Sequence, residues 1–549
     1  MAIIQRAMRS TGQNRQRYRV LSLLVLCLPL FGTSLFAQFR VGLVLPFENN
    51  SRDANLDWIG ESFSETLTAD LASPRFFMID RRERAAAIDK LGMPASGILS
   101  SATIYKVADV LDANQVILGH YEYNDGVFTA TAQMMEMEGP SLSRSFTESG
   151  PLAALLDLQV GLAWQLKQYL RPGYPLSKEE YLAERKGPRL DAFENYLRGL
   201  LSKDKGQQIR YFRSAQRLDP AFTRPAFELG MMYFKDRDYP TSVLWLSKLR
   251  RPDPDYLEAN YFLGLAYLYQ ERYEQSAAAF RVVEQQLPMN EVYNNLGIAM
   301  MRQERPGALQ YFERAVESNP ADPDYQFNLG FALWKRGNFS EAGEHLRKSL
   351  AAGNSPVARA LFIECLRKDG QVEEASRQAS LLAAAHAPGS IQFDKLERPK
   401  DNYDGSSFRQ LRRLVQLQEE LKHSKLPPRE HAGIHFQVAL GALKAGWERQ
   451  AVDELEMAIE YDPGDSRAYL ELAAIHLQAG RQEEAAKSAK RALEWDQTPE
   501  GFVLLARIYL AQGKMAEAQA ALDDAMRLDP SNAAAATLRD ELTPRATSR

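Results

Sequence analysis

Cysteine and histidine are scarce in this chain, which has 2 cysteines and 7 histidines among its 549 residues. Cys27 and Cys365 are too few to build a disulfide framework or a cysteine-based metal cluster. Positive and negative charges nearly cancel, with a formal net charge of −4. Because nucleic-acid binding requires a basic surface, this balance predicts no nucleic-acid partner.

Long apolar runs are also rare, and one run, VLSLLVLCLPLFGTSLFA at residues 20–37, approaches the length of a membrane span. Arginines precede it, and no acidic residue occurs before Glu48. A basic start, an apolar centre and the small residue Ala37 are typical of a secretory signal. We predict a signal peptide over residues 1–37, cleaved before Gln38, and a periplasmic or envelope-associated protein. An uncleaved anchor is the alternative, and residues 20–37 would then be the membrane contact.

Catalytic motifs are absent from the sequence, which contains no phosphate-binding loop, zinc-protease motif or hydrolase elbow. Glu61 and Glu65 lie on one side of a predicted helix, and we interpret them as a solvated face. His431 and His435 could share a metal by spacing, but an incidental pair is the better interpretation because no further ligand is near. Cys365 falls at a core position. We predict no enzyme, no catalytic, metal or cofactor site, and no cofactor.

A repeat of 33 to 34 residues is the strongest pattern that is present. Leu-Gly pairs recur with spacings of 34, 33 and 33 residues, and prolines and bulky apolar residues keep the same register. The pairs are Leu229-Gly230, Leu263-Gly264, Leu296-Gly297 and Leu329-Gly330, the prolines are Pro220, Pro254, Pro288 and Pro320, and the bulky residues are Phe212, Leu246, Phe280, Phe312 and Leu346. Three residue classes in one register indicate a structural repeat.

Each period predicts two helices, because apolar residues recur at helical spacing on both sides of Gly337-Asn338. Glycine supplies the positive φ that ends the first helix. Gly330 and Ala342 would let the two helices approach closely. The pattern strongly resembles the tetratricopeptide repeat, which implies an all-α superhelix that binds proteins.

The resemblance gives six repeats over residues 191–388 and three over residues 431–530, followed by a capping helix and tail over 531–549. In the second run alanine replaces the glycine, at Ala439, Ala473 and Ala506. Residues 389–430 separate the runs. We predict a polar loop there, followed by an amphipathic helix over 408–422 that bends or interrupts the solenoid.

Residues 38–175 carry no repeat and predict a small α/β domain. FRVGLVLPF and RFFMID are predicted strands, and NQVILGHYEY and VFTATAQMME flank a hairpin turn. SLSRSFTE is predicted as one further strand. Pro46, Phe47, Asn49, Gly60 and Leu67, with the segment DANQVILGHYEYNDGVFTATAQMME, are similar to the amino-terminal domain of TolB. This resemblance implies an envelope protein that docks on others, and the fold class is a multidomain α+β chain.

The first helices of the repeats would line a groove, and their inward positions predict a binding surface for a protein partner. That predicted surface comprises Phe227, Met231, Phe234, Tyr261, Leu265, Leu268, Ile298, Met301, Phe327, Phe331 and Trp334. Repeats that clamp a peptide carboxylate carry Asn one residue after the Gly. Here those positions hold Met231, Leu265, Ile298 and Phe331. The clamp is therefore absent, and an apolar segment suits the groove better.

The alternative for these eleven residues is that half of them pack helix against helix, or that the 408–422 helix fills the groove. For the whole chain we predict a non-enzymatic periplasmic scaffold or adaptor that binds protein partners in envelope or secretion assembly. The alternative function is a membrane-anchored signalling or regulatory sensor. The sequence does not name the partner.

Overall fold

The computed structural model describes residues 40–542, apart from 52, 74–75, 93–99, 138–140, 186, 252, 288, 354, 386–392, 402–407, 409–411, 413–414, 416, 419–426 and 445–446. The predicted signal peptide therefore lies outside the described residues. The chain forms two compact units, one within 39–419 and the other within 420–549. Within the described ranges, no helix is both long enough and apolar enough to cross a bilayer.

A mixed seven-stranded sheet opens the first unit, with the order β3-β1-β4-β5-β6. The strands are β1 (Arg40–Val44), β2 (Glu48–Asn49), β3 (Phe76–Met78), β4 (Gln115–Asn124), β5 (Val127–Glu136), β6 (Ser141–Leu142) and β7 (Phe146–Gly150). β1 runs parallel to β3 and β4, whereas β5 is antiparallel to β4, β6 and β7. The short β2 pairs parallel with β4. The sheet confirms the α/β class of the amino-terminal domain.

Helices cover both faces of this sheet. They are α1 (Trp58–Leu71), α2 (Arg81–Lys90), α3 (Ser101–Val110) and α4 (Leu155–Leu170), and the short α5 (Lys178–Glu184) follows. Leu43 and Val44 belong to different buried clusters, because neighbouring side chains of a strand point to opposite faces. Leu43 packs with α2 and α3 residues, and Val44 with α1 and α4 residues.

The predicted hairpin between β4 and β5 is present, with positive φ at Asp125 (51°) and Gly126 (82°). The prediction of one strand for SLSRSFTE is wrong, since this segment forms two strands, β6 and the start of β7. The break lies at Ser143. Its hydroxyl accepts the Met134 N–H at 2.9 Å, a bond that a strand carbonyl would otherwise receive.

Twelve helices in consecutive antiparallel pairs make up the described part of residues 190–385. They are α6 (Leu190–Leu201), α7 (Lys205–Leu218), α8 (Arg224–Lys235), α9 (Tyr239–Leu246), α10 (Tyr256–Tyr269), α11 (Tyr273–Glu284), α12 (Asn290–Arg302), α13 (Ala308–Ser318), α14 (Pro323–Lys335), α15 (Phe339–Ala352), α16 (Pro356–Lys368) and α17 (Val372–Ala385). We call them the first array.

The glycines of the Leu-Gly pairs sit where the two helices of a repeat touch. A β-carbon added at Gly264 would lie 2.7 Å from the Phe280 ring, and one at Gly297 would lie 2.9 Å from the Phe312 ring. Both rings are fully buried. The predicted close approach and the bulky residue that fills the space are therefore confirmed.

The sheet domain and the first repeats share one hydrophobic core within the first unit. A single buried cluster runs from Val44 and Phe63 of the sheet domain to Phe212 and Leu229 of the repeats. Arg82 of α2 also pairs with Glu228 and Glu258 of the repeats, at 3.0 Å each. The repeats therefore begin directly on the sheet domain.

The interpretation of Glu61 and Glu65 as a solvated face is wrong. Glu61 is 5% exposed, because it lies beneath Arg84 and accepts from Arg81 at 3.1 Å. Glu65 pairs with Arg224 of α8 at 2.7 Å, and burial raises the pKa of its carboxyl. The polar side of α1 is covered by α2 and by the first array, which the sequence pattern of α1 alone cannot reveal.

The second unit contains seven described helices. They are α18 (Pro428–Lys444), α19 (Glu448–Tyr461), α20 (Ser466–Gln478), α21 (Gln482–Trp495), α22 (Pro499–Ala511), α23 (Met515–Leu528) and α24 (Ala533–Leu542). We call α18 to α23 the second array. Ala439, Ala473 and Ala506 are fully buried in it, in place of the glycines of the first array.

Candidate functional site

The inner helices of the first array hold a stretch of the same chain. Residues 393–401, with the sequence FDKLERPKD, contact α10, α12 and α14 without forming a helix or strand of their own. We call residues 393–401 the cis segment, and the face of α10, α12 and α14 that contacts it the groove. The groove contacts both the main chain and the side chains of the cis segment.

Two asparagines one repeat apart bind the backbone of the cis segment. Asn295 of α12 donates to the Lys400 carbonyl at 2.9 Å and accepts the Lys400 N–H at 2.8 Å. Asn328 of α14 does the same for Arg398, at 2.9 Å in both directions. Asn294 donates to the Arg398 carbonyl at 3.0 Å. Residues 398 and 400 thus present main-chain groups to one side, as alternate residues of an extended strand do.

Burial and a hydrogen bond within the row fix the side chains of these asparagines. Asn294, Asn295 and Asn328 are fully buried, and Asn328 donates to Asn294 at 2.7 Å. Tyr261 of α10 extends the row, since its hydroxyl donates to the Lys400 carbonyl at 2.8 Å. Because a buried amide needs partners, this row requires an occupant with free N–H and C=O groups, or water.

Two cations of the cis segment fit an acidic corner at the start of α14. Asp322 caps this helix by accepting from the N–H groups of Asp324 and Tyr325, and Pro323 occupies the first turn. The Lys400 ammonium lies 2.9 Å from Asp322 and 2.7 Å from Asp324. The Arg398 guanidinium lies 3.0 Å from Asp324 and 3.9 Å from the centre of the Phe327 ring. This corner selects positive charge at two positions two residues apart.

The protonation states of this corner are set by the pairing. Burial by itself would raise the pKa of Asp324, but the hydrogen bonds from Lys400 and Arg398 outweigh it and hold that pKa below its ordinary value. Burial would lower the pKa of Lys400, but its bonds to Asp324 and Asp322 raise it instead. Both groups are therefore charged at neutral pH.

Other residues of the cis segment make further contacts. Glu397 is 3% exposed in its side chain and pairs with Arg302 of α12. The Tyr269 hydroxyl donates to the Asp401 carboxylate at 2.6 Å. The Phe393 ring packs 5.7 Å from that of Trp334, centre to centre. Trp334 in turn stacks on Phe331 at 5.9 Å. An aromatic stack therefore closes one end of the groove.

The eleven residues predicted to line a partner surface fall into three groups. Tyr261, Phe327 and Trp334 contact the cis segment directly. Leu265, Leu268, Ile298 and Phe331 are buried, while Met301 is half-buried. Phe227, Met231 and Phe234 lie on α8, nearer the sheet domain, and the Arg82 guanidinium covers the Phe227 ring at 4.9 Å. The partner-binding role of all eleven stays a prediction.

The functional residues that the sequence reasoning missed are Asn294, Asn295 and Asn328. The carboxylate clamp concerns the position after each glycine, whereas these residues stand before the Leu-Gly pair, in NNLG and FNLG. Two consecutive repeats with Asn directly before Leu-Gly were the available signal. The acidic corner was equally visible as Asp322 and Asp324 around a helix-starting proline.

The alternative that the 408–422 helix fills the groove stays a prediction, and the groove contacts described above come from the polar stretch before that helix. Phe408, Arg412, Val415, Leu417 and Gln418 are described, and all five are helical. Phe408 and Leu417 are buried, and Arg412 donates to the Pro254 carbonyl at 2.5 Å. The rest of that helix lies outside the described residues.

The other candidate residues have ordinary partners. In the second unit His435 Nδ1 lies 2.7 Å from a Glu454 carboxylate oxygen, and His431 stacks on Tyr461 at 4.8 Å. Among the described residues, no cluster of three or more metal-ligating side chains is present. Cys365 is fully buried, and this burial raises the pKa of its thiol to about 12, so the thiol is unreactive at neutral pH.

Comparison with known protein families supports the repeat assignment. Residues 228–291 and 296–356 match one sequence model of the tetratricopeptide repeat, and residues 442–502 and 499–532 match two others. Both arrays therefore contain tetratricopeptide repeats, a module that mediates protein–protein interactions and is generally non-catalytic. This confirms the prediction of the repeats and of a role in protein binding.

Individual relatives are distant. The chain is 33% identical over 96 residues to the TPR repeat-containing protein YpiA of Bacillus subtilis (strain 168), which is 17% of this chain and 23% of that protein. The chain thus spans about a quarter of that relative's length. Among solved structures, YrrB, described as a TPR protein with an unusual peptide-binding site, is 15% identical with a TM-score of 0.19, over 42% of this chain and 97% of its own.

MamA AMB-1 is 21% identical to this chain with a TM-score of 0.28, over 33% of this chain and 100% of its own. At these levels neither structure identifies a ligand for this protein. The site is therefore defined by its own geometry: a row of buried amides, an acidic corner and an aromatic stack that together hold a segment of the same chain.

Proposed function

We propose that this protein is a non-enzymatic scaffold or adaptor of the bacterial envelope that binds protein partners through the groove of its first array. One observation carries the proposal. The groove already holds a peptide, residues 393–401, by paired main-chain hydrogen bonds from Asn295 and Asn328. Main-chain recognition of an extended segment is a general means of binding a peptide of another protein.

The periplasmic location and the second partner in this proposal rest on the sequence. The basic and apolar start of the chain supports export to the periplasm through a signal peptide over residues 1–37. The resemblance of residues 38–175 to the amino-terminal domain of TolB supports docking of that domain on a second envelope component. Together they make the protein a bridge between two partners in envelope or secretion assembly.

The groove is tested by cross-linking and capture from an envelope extract. Wild type is compared with Asn295→Ala/Asn328→Ala, which removes the four paired backbone hydrogen bonds. Asn260→Ala is the matched control, because the Asn260 amide donates to the Tyr256 carbonyl within α10 (2.8 Å). We expect a partner captured by wild type and by the control to be lost with the double variant. Equal capture by all three proteins would contradict a role for the groove.

The proposed periplasmic location is tested separately. Amino-terminal sequencing of the protein from the periplasmic fraction should give Gln38 as the first residue. A protein retained in the inner membrane with residues 20–37 intact would contradict the periplasmic assignment and support the anchored alternative.

A further inference from the structure

The side chains of the cis segment indicate which kind of peptide the groove binds. We propose that the groove is a receptor for an extended partner segment that carries two basic residues two positions apart, and that residues 397–400, Glu-Arg-Pro-Lys, occupy it in cis as a displaceable substitute. This inference rests on the proposed function, since it names the class of peptide that the same groove would take. It is carried by the acidic corner and the asparagine row together.

Charge complementarity fixes the class of the partner. Asp322 and Asp324 hold Lys400, and Asp324 also holds Arg398. The Phe327 ring adds a flat surface for a guanidinium, at 3.9 Å from Arg398. An acidic or an apolar segment at these two positions would leave both carboxylates without cations, so the groove excludes such segments.

The spacing of the cations follows from the main-chain contacts. Asn295 and Asn328 each pair with both polar groups of one residue, and the two residues are 400 and 398. Side chains at alternate positions of an extended chain point to the same side. Basic residues at those two positions therefore face the same corner, whereas basic residues three apart would place one cation on the opposite side.

The contacts of the cis segment favour exchange over permanent structure. Of its residues, Lys400 is buried and Asp394, Lys395 and Asp401 are exposed. Its hydrogen bonds go to side-chain amides, carboxylates and tyrosine hydroxyls, which water can solvate when the segment leaves, so the net loss per bond is small. A partner must nevertheless outcompete an occupant tethered to the same chain, whose effective concentration is in the order of millimolar.

The test uses the full chain and a fluorescein-labelled peptide of sequence FDKLERPKD. Fluorescence anisotropy compares wild type with Arg398→Ala/Lys400→Ala, which weakens the cis segment and leaves the groove intact. We expect the variant to bind the peptide at least tenfold more tightly than wild type. Adding Asn295→Ala/Asn328→Ala to the same variant should abolish binding. A peptide whose Arg and Lys are three residues apart should bind at least tenfold more weakly.

Equal binding by wild type and Arg398→Ala/Lys400→Ala would overturn the inference, and so would loss of helical content in that variant, because the cis segment would then be structural. Wild type provides a second measurement that needs no variant. Hydrogen exchange of residues 393–401 should accelerate at least tenfold when unlabelled peptide is added at several millimolar. Unchanged exchange would mean that the segment cannot be displaced.

The two proposals fail in different ways. If the peptide does not bind but an envelope partner is still lost with Asn295→Ala/Asn328→Ala, the groove binds proteins of another chemistry and only this inference fails. If the peptide binds as expected but capture from the envelope extract is the same for all variants, the scaffold role through this groove fails. Binding of the three-apart peptide as tightly as FDKLERPKD would show charge attraction without spacing and would also overturn the inference.

Discussion

The two arrays share one repeat but differ at the positions that face a ligand. Two residues before the small residue of the helix contact, the first array has Asn295 and Asn328 in two repeats and Glu228 and Phe262 in two others. The second array has no asparagine there, with Gln437, Glu471 and Leu504 at the same position. The Asn side chains bind main chain, while burial raises the pKa of the Glu471 carboxyl. The repeat therefore specifies a scaffold, and a few inward positions specify what each array can bind.

The helix contacts of two repeats, one from each array, differ in a compensated way. In the first array glycine faces a large side chain, as Gly264 faces Phe280. In one repeat of the second array, Ala473 and Ala489 stand at the two matching positions and lie in one buried cluster, so both residues are small. The other two repeats of that array keep a leucine at the second position, Leu455 and Leu522. Close packing requires that the two volumes match.

The largest effect is expected from breaking this match. Gly264→Val would drive a side chain into the Phe280 ring, where even a β-carbon lies at 2.7 Å, and should cost about 3 kcal/mol in the free energy of unfolding. Ala473→Gly, the opposite change in the second array, should cost only about 1 kcal/mol through helix propensity. Urea unfolding followed by circular dichroism measures both. Equal losses of unfolding free energy in the two variants would contradict the proposed match of side-chain volumes.

The second prediction concerns the asparagine row. In Asn295→Ala/Asn328→Ala the cis segment loses four hydrogen bonds to its main chain, each with a net value of about 1 kcal/mol. Trypsin cleavage after Lys400, followed by mass spectrometry, should accelerate more than about tenfold, since about 1.4 kcal/mol already corresponds to that factor. Gln437→Ala/Glu471→Ala in the second array is the matched control and should leave this rate unchanged. A rate that is the same in all three proteins would contradict the row's role.

The third prediction concerns pH. The folded pKa of Asp324 lies below its ordinary value of 3.8, so its contribution to stability is complete above that value and is lost as pH falls through the folded pKa. The pKa of Lys400 is raised above 10.5, so its contribution is complete below that value and is lost as pH rises through the folded pKa. Between these limits the corner should be independent of pH.

Thermal unfolding of wild type and Asp324→Asn across this range tests the assignment. We expect wild type to melt at the higher temperature by a constant margin from pH 5 to 9. The margin should shrink as pH falls below 3.8 and vanish below the folded pKa of Asp324, where protonated Asp324 resembles Asn. A margin that changes between pH 5 and 9 would mean that another group titrates at the corner.

The smallest effect is expected at the turns within repeats. Glu304 has a positive φ of 52° where the next repeat has Gly337 at 83° and the second array has Gly480 and Gly513. A side chain in this conformation is strained by roughly 1 kcal/mol. Glu304→Gly should therefore stabilise the protein by about that amount, and Gly337→Glu should destabilise it similarly. A destabilised Glu304→Gly in urea unfolding would contradict the strain.

Much of the scaffold could be predicted from the sequence, because the size of the residue at each repeat position predicts how the two helices pack. Gly264 and Phe280 keep one register, and that register alone predicts two helices in close contact. The same is true of the hairpin at Asp125 and Gly126, where the turn needs positive φ. Local rules of this kind need no knowledge of the rest of the chain.

The occupied groove could not be predicted in the same way. Nothing in residues 393–401 marks them as a ligand, because their contacts depend on helices about 70 to 140 residues earlier in the chain. Glu61 and Glu65 were misjudged for the same reason, since the residues that cover them include Arg84 and Arg224. Ion pairs and hydrogen bonds between residues far apart in the chain produce no periodic pattern in the sequence.

The most direct test of the central claim is hydrogen exchange of residues 393–401 in the intact wild-type protein at neutral pH. If the groove holds this segment, the Arg398 and Lys400 amides should exchange at least tenfold more slowly than an unfolded chain, and Asn295→Ala/Asn328→Ala should remove that protection. Exchange at the unfolded rate in wild type would show that the segment does not occupy the groove, and would contradict the account.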